Sequence, residues 1–440
     1  MTLTVSPDQP INLQIGWPNP ALLPASTLRH SATAVLSNPS IANPALLYGP
    51  DEGYEPLRIH IAAWLSNFYR PREPISSQRI CITGGASQNL ACVLQTFTDP
   101  VYTRNVWMVT PTYHLAARVM DDAGFAGRLR GIPEDDEGLN IAVLERGLRA
   151  VEDTALLLGN TEPKLKPPRP WRKIYKHVIY AVPTFANPSG KIMSLRRREA
   201  LVRLARQYDA LIVTDDVYDF LQWSAKPEEE NNFSDRACIP RIVDVDRYLD
   251  GGPQDEWGHA LSNGSFSKLI GPGARTGWAE ASEKVAYGLS QTGSSRSGGA
   301  PSHLCAAIID QLFPTGIQTH IRDVLQPKYA ERYHTLLTAI HEHLVPLGVT
   351  VPAPAAAAGG YFMWIGLPAP LLATDVVQRA QSEENLRLCA GDLFQVPDQV
   401  TDEMFTDHLR LCFAWEEPRH LTEGMRRLAR VLNRITHTQV

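Results

Sequence analysis

Leu57, Ile61, Trp64, Leu65 and Phe68 recur at helical spacing behind Pro56 and ahead of Pro71, and predict an amphipathic helix. The pattern then changes. Short apolar runs (RICIT, NVWMVT, GRLRGI, HVIYAV and ALIVT) predict strands. Between them, Ser87–Thr98, Tyr113–Ala123, Ala142–Val151 and Leu195–Tyr208 carry the helical period. LSNGSFS and TGWAEA add two strands more. Strands that alternate with helices need crossover connections, so the pattern predicts an α/β fold around a mostly parallel, buried, seven-stranded sheet.

The flanks differ from this centre. Residues 1–50 are rich in Pro, Asn and Ser and predict an extended arm with one helix near Ser26–Leu36. A long helical stretch is expected from about Pro301 to Leu347. The tail predicts the strands YFMWIGL, LRLCA and LRLCFAW and a last helix marked by Leu421, Met425, Leu428, Leu432 and Ile435, which together make a small α+β lobe. Gly159–Lys176 and Ala225–Gly258 read as surface insertions.

Composition narrows the function. In 440 residues, 42 Lys and Arg stand against 47 Asp and Glu, a net charge of −5. That balance argues against a nucleic-acid binder and against a polybasic membrane binder. No apolar run approaches the ~18 residues that span a bilayer. The N-terminus shows neither a basic start nor an apolar core, so a cytoplasmic location is expected. The six cysteines form no CxxC pair and read as small buried hydrophobes. No zinc spacing exists among Cys and His, so no metal site is expected.

The chemistry concentrates in Gly264-Ser265-Phe266-Ser267-Lys268, followed by Gly-Pro-Gly-Ala-Arg275-Thr-Gly-Trp. A lysine at a strand end, among hydroxyls and glycines, can form a Schiff base if its ammonium loses its proton readily. Ser265, Ser267 and Arg275 could hold a phosphate.

S-x-S-K with G-x-R-x-G-W resembles the lysine segment of fold-type I, class I/II aminotransferases, which depend on pyridoxal 5'-phosphate (PLP). Further segments match the family in chain order over about residues 11–415. ITGGASQNL resembles the phosphate-binding turn, which implies that Ala86, Ser87 and Gln88 cradle the cofactor phosphate at a helix N-terminus. In PTY, Tyr113 would stack on the pyridine ring. In PTFANPSG, Asn187 would donate to the cofactor's phenolic oxygen and help bind substrate. In VTDDVYDF the family's Asp precedes its Tyr by three residues; Asp215 and Tyr218 fit that spacing and Asp216 does not. A carboxylate at the ring nitrogen keeps the ring protonated and makes it an electron sink. In LRLCFAW, Arg410 would grip the substrate α-carboxylate. In LLYGPDEGYEPLR, Tyr48 would reach the phosphate of a neighbouring subunit, and in INLQIGWPNP, Gly16 would lie near the substrate carboxylate.

The resemblance implies an organisation of 1–50 as arm and part of the small domain, 51–325 as the large PLP-binding domain and 326–440 as the small domain. It implies a homodimer with shared active sites. It also implies transfer of an amino group between an L-amino acid and a 2-oxo acid through a Lys268 Schiff base. The same fold also hosts β- or γ-elimination, γ-replacement and ring closure on an activated amino acid such as S-adenosylmethionine. Within the family the chain resembles the 2-aminoadipate and multi-substrate aminotransferases. Side-chain recognition is expected from Gln14, Trp17, Leu22, Leu23 and Leu28 of the arm and from Ser294–Ser297. Trp17 favours a large or apolar side chain. Arg296 has two readings, a partner for a distal substrate carboxylate or a salt bridge at a surface or interface.

Overall fold

The computed structural model describes residues 6, 9–167, 169–227, 235–352, 356–397 and 404–438. Its centre is one twisted sheet. The strands are β1 (Ile80–Thr83), β2 (Val106–Thr110), β3 (Leu129–Asp135), β4 (Gly138–Leu139), β5 (His177–Ala181), β6 (Ala210–Asp215), β7 (Ala260–Ser265) and β8 (Gly277–Glu280). They lie in the order β1-β8-β7-β6-β5-β2-β3-β4. The seven expected strands are all present. The eighth, β4, is a two-residue return antiparallel to β3, too short to leave a periodic signal.

Strands β3, β2, β5, β6 and β7 run parallel. β8 is antiparallel to both β7 and β1, so β1 points the same way as the parallel set. Both faces of the sheet are covered, which explains the near-continuous apolar runs. Val106, Met108, Val178, Tyr180, Leu211 and Val213 face one core with Leu90, Val93 and Leu94 of helix Ala86–Phe97. Trp107, Val109, Ile179, Ala181 and Ile212 face the other, with Leu144 and Leu148 of helix Ile141–Leu157 and Leu201 and Val202 of helix Leu195–Gln207. Alternate residues of each strand thus serve opposite cores.

Two sequence expectations change. The Ala225–Gly258 segment is not surface throughout, because it carries helix Ile242–Tyr248, whose Ile242, Val243 and Val245 are buried in the second core. The long helical stretch is interrupted: His303–Asp310 and Leu312–Thr315 come first, and after Gly316 the helix Ile317–His320 runs through a π turn, Ile321–Leu325, into Gln326–His343. Gly316, at φ 104°, ends one helix where only glycine turns without strain. The Gly159–Lys176 loop is tethered, since the Asp99 carboxylate accepts the backbone N–H groups of Lys164, Leu165 and Lys166.

A second, three-stranded antiparallel sheet joins Phe362–Gly366, His408–Cys412 and Cys389–Ala390. Helices Ala373–Glu384 and Pro418–Thr438 pack beside it. The arm lies against this region through Ile11–Asn12, paired in parallel with Leu386–Arg387, and it carries helix Ala25–Ser37. No helix among the described residues is long and apolar enough to cross a membrane.

Candidate active site

Ligands of open α/β sheets sit outside the carboxyl ends of the strands, near the point where strand order reverses. Here the chain leaves β1 at Gly84, β2 at Pro111, β5 at Val182, β6 at Asp216 and β7 at Phe266, all on one edge of the sheet. A cavity of about 450 Å³ opens there. Its walls include Ala86, Ser87, Tyr113, Asn187, Asp215, Tyr218, Ser265, Ser267, Lys268 and Arg275 from the sheet edge, Gly16 from the arm and Arg410 from the second sheet. Twelve of the fourteen residues assigned from the sequence to catalysis or to cofactor and carboxylate binding therefore meet in one space.

Lys268 ends a single helical turn, Phe266–Lys268, that follows β7 directly. The Ser265 hydroxyl caps this turn by accepting from Ser267 N at 3.2 Å, and the two serine hydroxyls lie 2.9 Å apart. Lys268 Nζ donates to the Gly16 carbonyl at 2.8 Å. Burial pushes its pKa down to about 8, helped by Arg410 and opposed by Cys412 and Asp215. The amine is therefore close to half neutral near pH 8.

Asp215 is the last residue of β6. Its Oδ2 accepts from the Tyr180 hydroxyl at 3.0 Å, while Oδ1 is buried with no partner. Burial pushes this carboxyl up to about 7, Asp216 adds to the rise, and Tyr180 and Lys268 oppose it. Asp216 faces the other way. Its Oδ2 accepts from Thr214 at 2.7 Å and Ser262 at 2.5 Å, and it is outside the cavity. The structure thus separates the two adjacent acids as the spacing to Tyr218 does.

At the end of β1, Gly85 has φ 96° and starts helix Ala86–Phe97 without a side-chain cap. The N–H groups of Ala86, Ser87 and Gln88 have no acceptor inside the helix and favour an anion. A Cβ on Gly85 would stand 2.9 Å from Arg275 Nη2, which donates to the Gly84 carbonyl at 3.0 Å. Gln88 contributes no side chain to the cavity. It turns back, accepts from Gly84 N at 3.0 Å and reaches Cys92 Sγ at 2.9 Å.

Arg410 sits mid-strand, opposite Trp364 and Cys389. Its guanidinium lies over the Phe362 ring at 4.1 Å and the Phe394 ring at 4.7 Å. Nη1 donates to Asn187 Oδ1 at 3.0 Å and Nη2 to the Gln14 carbonyl at 2.7 Å, while Nε is buried without a partner.

Not every expectation falls in this space. Tyr48 is 91% exposed and packs against Gly298, away from the cavity of its own chain. Arg296 pairs with Asp51 and lies outside the cavity, as do Ser294, Ser295 and Ser297, which removes them from side-chain recognition within one chain. Of the arm, Gln14 and Trp17 line the space, whereas Leu22, Leu23 and Leu28 do not. Sequence reading missed Tyr180, His114, Leu115, Phe362 and Leu393. Their signal was that of ordinary core or helix-start residues, and only the fold brings them to the site.

This arrangement, a desolvated lysine, an anion-ready helix start, an unpartnered buried carboxylate oxygen and an arginine fork, defines a cofactor-dependent transferase of amino acids. The chain belongs to the family of aminotransferases class I and II, whose model matches residues 18–428. It is a PLP-dependent transferase. It is 33% identical over 405 residues to the uncharacterized protein YER152C of Saccharomyces cerevisiae, covering 88% of each chain. It is 28% identical to the 2-aminoadipate transaminase of Thermus thermophilus, covering 95% of this chain and 88% of that one. Among solved structures, the multiple substrate aminotransferase of Thermococcus profundus superposes with a TM-score of 0.78 at 26% identity, covering 98% and 93% of the two chains. The residues present fit PLP. Oδ1 of Asp215 is buried without a donor, which a protonated ring nitrogen would supply, and the uncapped N–H groups of the Ala86–Gln88 turn beside Arg275 suit a phosphate.

Proposed function

We propose that the protein moves an amino group between an L-amino acid and a 2-oxo acid, with Lys268 as the covalent anchor and proton carrier. The observation that carries this reading is that Lys268, with its lowered pKa, lines the same cavity as Asp215 and Arg410. PLP, when bound, supplies an aldehyde that takes the amino group and a ring that draws electrons from the substrate Cα.

The chain's own residues do the rest. Ala86, Ser87 and Gln88 N–H, Ser265, Ser267 and Arg275 hold the phosphate. Tyr113 would cover one face of the ring and Asp215 would meet its nitrogen. Asn187 and Tyr218 would reach the phenolic oxygen. Arg410 binds the substrate carboxylate, with Gly16 beside it, and so fixes which Cα bond faces Lys268. A neutral Lys268 Nζ would take the Cα proton and hold it as an ammonium; a pKa near 8 suits an amine that must accept a proton and give it up again. Trp17, Leu115, Leu393 and Phe362 line the remaining wall and favour a large apolar side chain. Arm, large domain and small domain divide at about residues 50 and 325. The active unit is a homodimer in which Tyr48 reaches the partner's phosphate site.

The test is to add one amino donor to the PLP-loaded enzyme with no acceptor present. Conversion of the cofactor to its amine form, with one equivalent of 2-oxo acid released, supports transamination. Ammonia or a replaced leaving group, without amine-form cofactor, overturns it in favour of elimination or replacement.

A further inference from the structure

Strands β5 and β6 are parallel neighbours, with Tyr180 opposite Val213. Val213 and Asp215 are two residues apart, so they share a face, and Tyr180 shares it with them. The Tyr180 ring is 1% exposed in the first core, among Met108, Leu211 and Val213. Its hydroxyl donates to Oδ2 of Asp215 at 3.0 Å. The other carboxylate oxygen is buried and unpartnered.

We infer that Tyr180 is a positioning residue for the cofactor: its hydroxyl holds Oδ2 of Asp215, which fixes the carboxylate plane and leaves Oδ1 alone to meet the ring nitrogen. This rests on the reading of Asp215 as the ring partner. A carboxylate at the end of a strand has free rotation about its last bond. A donor held by a rigid, fully packed ring removes that freedom and also favours the ionised form. The groups that face Asp215 are Tyr180 from β5, Tyr218 from its own strand end, Lys268 after β7 and Tyr113 after β2, while Asp216, turned the other way, acts on it through charge alone. Among the groups that hold the Asp215 proton affinity down, Tyr180 comes first, ahead of Lys268. Without it, Asp215 stays protonated to higher pH, and a neutral carboxyl cannot pair with a protonated ring.

Tyr180→Phe keeps the packed ring and removes only the donor. The experiment measures PLP affinity of the apoenzyme as a titration readout, without any turnover, over about one to two pH units either side of the raised Asp215 midpoint of about 7. The variant is expected to bind PLP about tenfold more weakly near neutral pH, with the midpoint of its acid limb moved up by about one unit, as for a lost hydrogen bond to a charged group. The two proteins should converge at the alkaline end. With the PLP analogue whose ring nitrogen is replaced by C–H, wild type and variant should bind alike. An unchanged midpoint, or an equal loss for PLP and the analogue, overturns the inference. Should Tyr180→Phe fail to fold, 3-fluorotyrosine at position 180 serves instead. Its more acidic hydroxyl is a stronger donor, so the midpoint should move down, and an unmoved midpoint overturns the inference. If Asp215→Asn binds PLP and the analogue with the wild-type preference, the ring-partner reading itself fails, which separates the two failures.

Discussion

Arg410 Nη1 donates a 3.0 Å hydrogen bond to Asn187 Oδ1, which ties the second sheet to the loop after β5. The guanidinium is held on both ends, by Asn187 and by the Gln14 carbonyl, and keeps a buried Nε–H in reserve. The fork is therefore oriented before substrate arrives, which reduces the ordering cost of binding. Removing one partner of a buried charge pair costs about 3–5 kcal/mol. Arg410→Ala is expected to lower kcat/KM by a factor on the order of 10²–10³, with PLP still bound. Arg410→Lys should recover little, because a point charge cannot make the two-pronged contact. Steady-state kinetics with an amino acid and with the matching amine lacking the carboxylate check this. Equal losses on both would move carboxylate recognition away from Arg410.

Lys268→Ala should still fold, since the change removes a desolvated amine whose hydrogen bond among the described residues goes to the Gly16 carbonyl. It should bind PLP without covalent attachment. Borohydride reduction followed by peptide mapping should label the peptide holding Lys268 in wild type and no peptide in the variant. Label on another lysine would reassign the anchor.

The legible part of this protein is the part where chemistry sits in short segments at strand ends. Lys268, Asp215, Asn187 and Ser87 lie within a few residues of a strand terminus, among glycines, prolines and hydroxyls that a plain core would not use. Tyr180 was not legible, because an aromatic inside HVIYAV is what any buried strand contains. Its role comes from lying beside β6, which depends on sheet order. Phe362 was hidden for the same reason, since its contact with Arg410 needs the pairing of two strands more than forty residues apart in the chain. The break at Gly316 was missed because the residues on each side keep a helical period, and a single left-handed glycine resets the axis without altering composition.

Tyr48, Leu46 and Leu47 are all strongly exposed and follow one another just after helix Pro39–Ala45. The proposed homodimer would cover this run. Sedimentation at assay concentration should give twice the chain mass of 48.8 kDa. Tyr48→Phe should weaken PLP binding severalfold while leaving the sedimentation coefficient unchanged, as expected for the loss of one hydrogen bond to a phosphate. A monomer with full activity would refute the shared site.

Asp215 gives the apoenzyme a pH signature. Its carboxyl is pushed up to about 7 from an ordinary 3.8, chiefly by burial. The folded chain therefore binds more protons than the unfolded chain between those values. Stability falls as pH rises wherever the folded state holds the extra proton. For this group the folded state carries no penalty below about pH 4, loses stability progressively up to about pH 7, and changes little beyond. The penalty at pH 8 is on the order of 4 kcal/mol, for a rise from 3.8 to about 7 at about 1.36 kcal/mol per pKa unit. Asp215→Asn removes the charge but keeps an oxygen for the Tyr180 hydroxyl. Its apoenzyme should be more stable than wild type at pH 8 and nearly equal at pH 4.5, while its PLP affinity falls. Holoenzyme should show the reverse order at pH 8, because a protonated ring nitrogen repays the buried charge that the apoenzyme leaves unpaired. Denaturant titrations of both apoenzymes at the two pH values decide the matter, and parallel stability at both would mean that Asp215 is not held in a desolvated site.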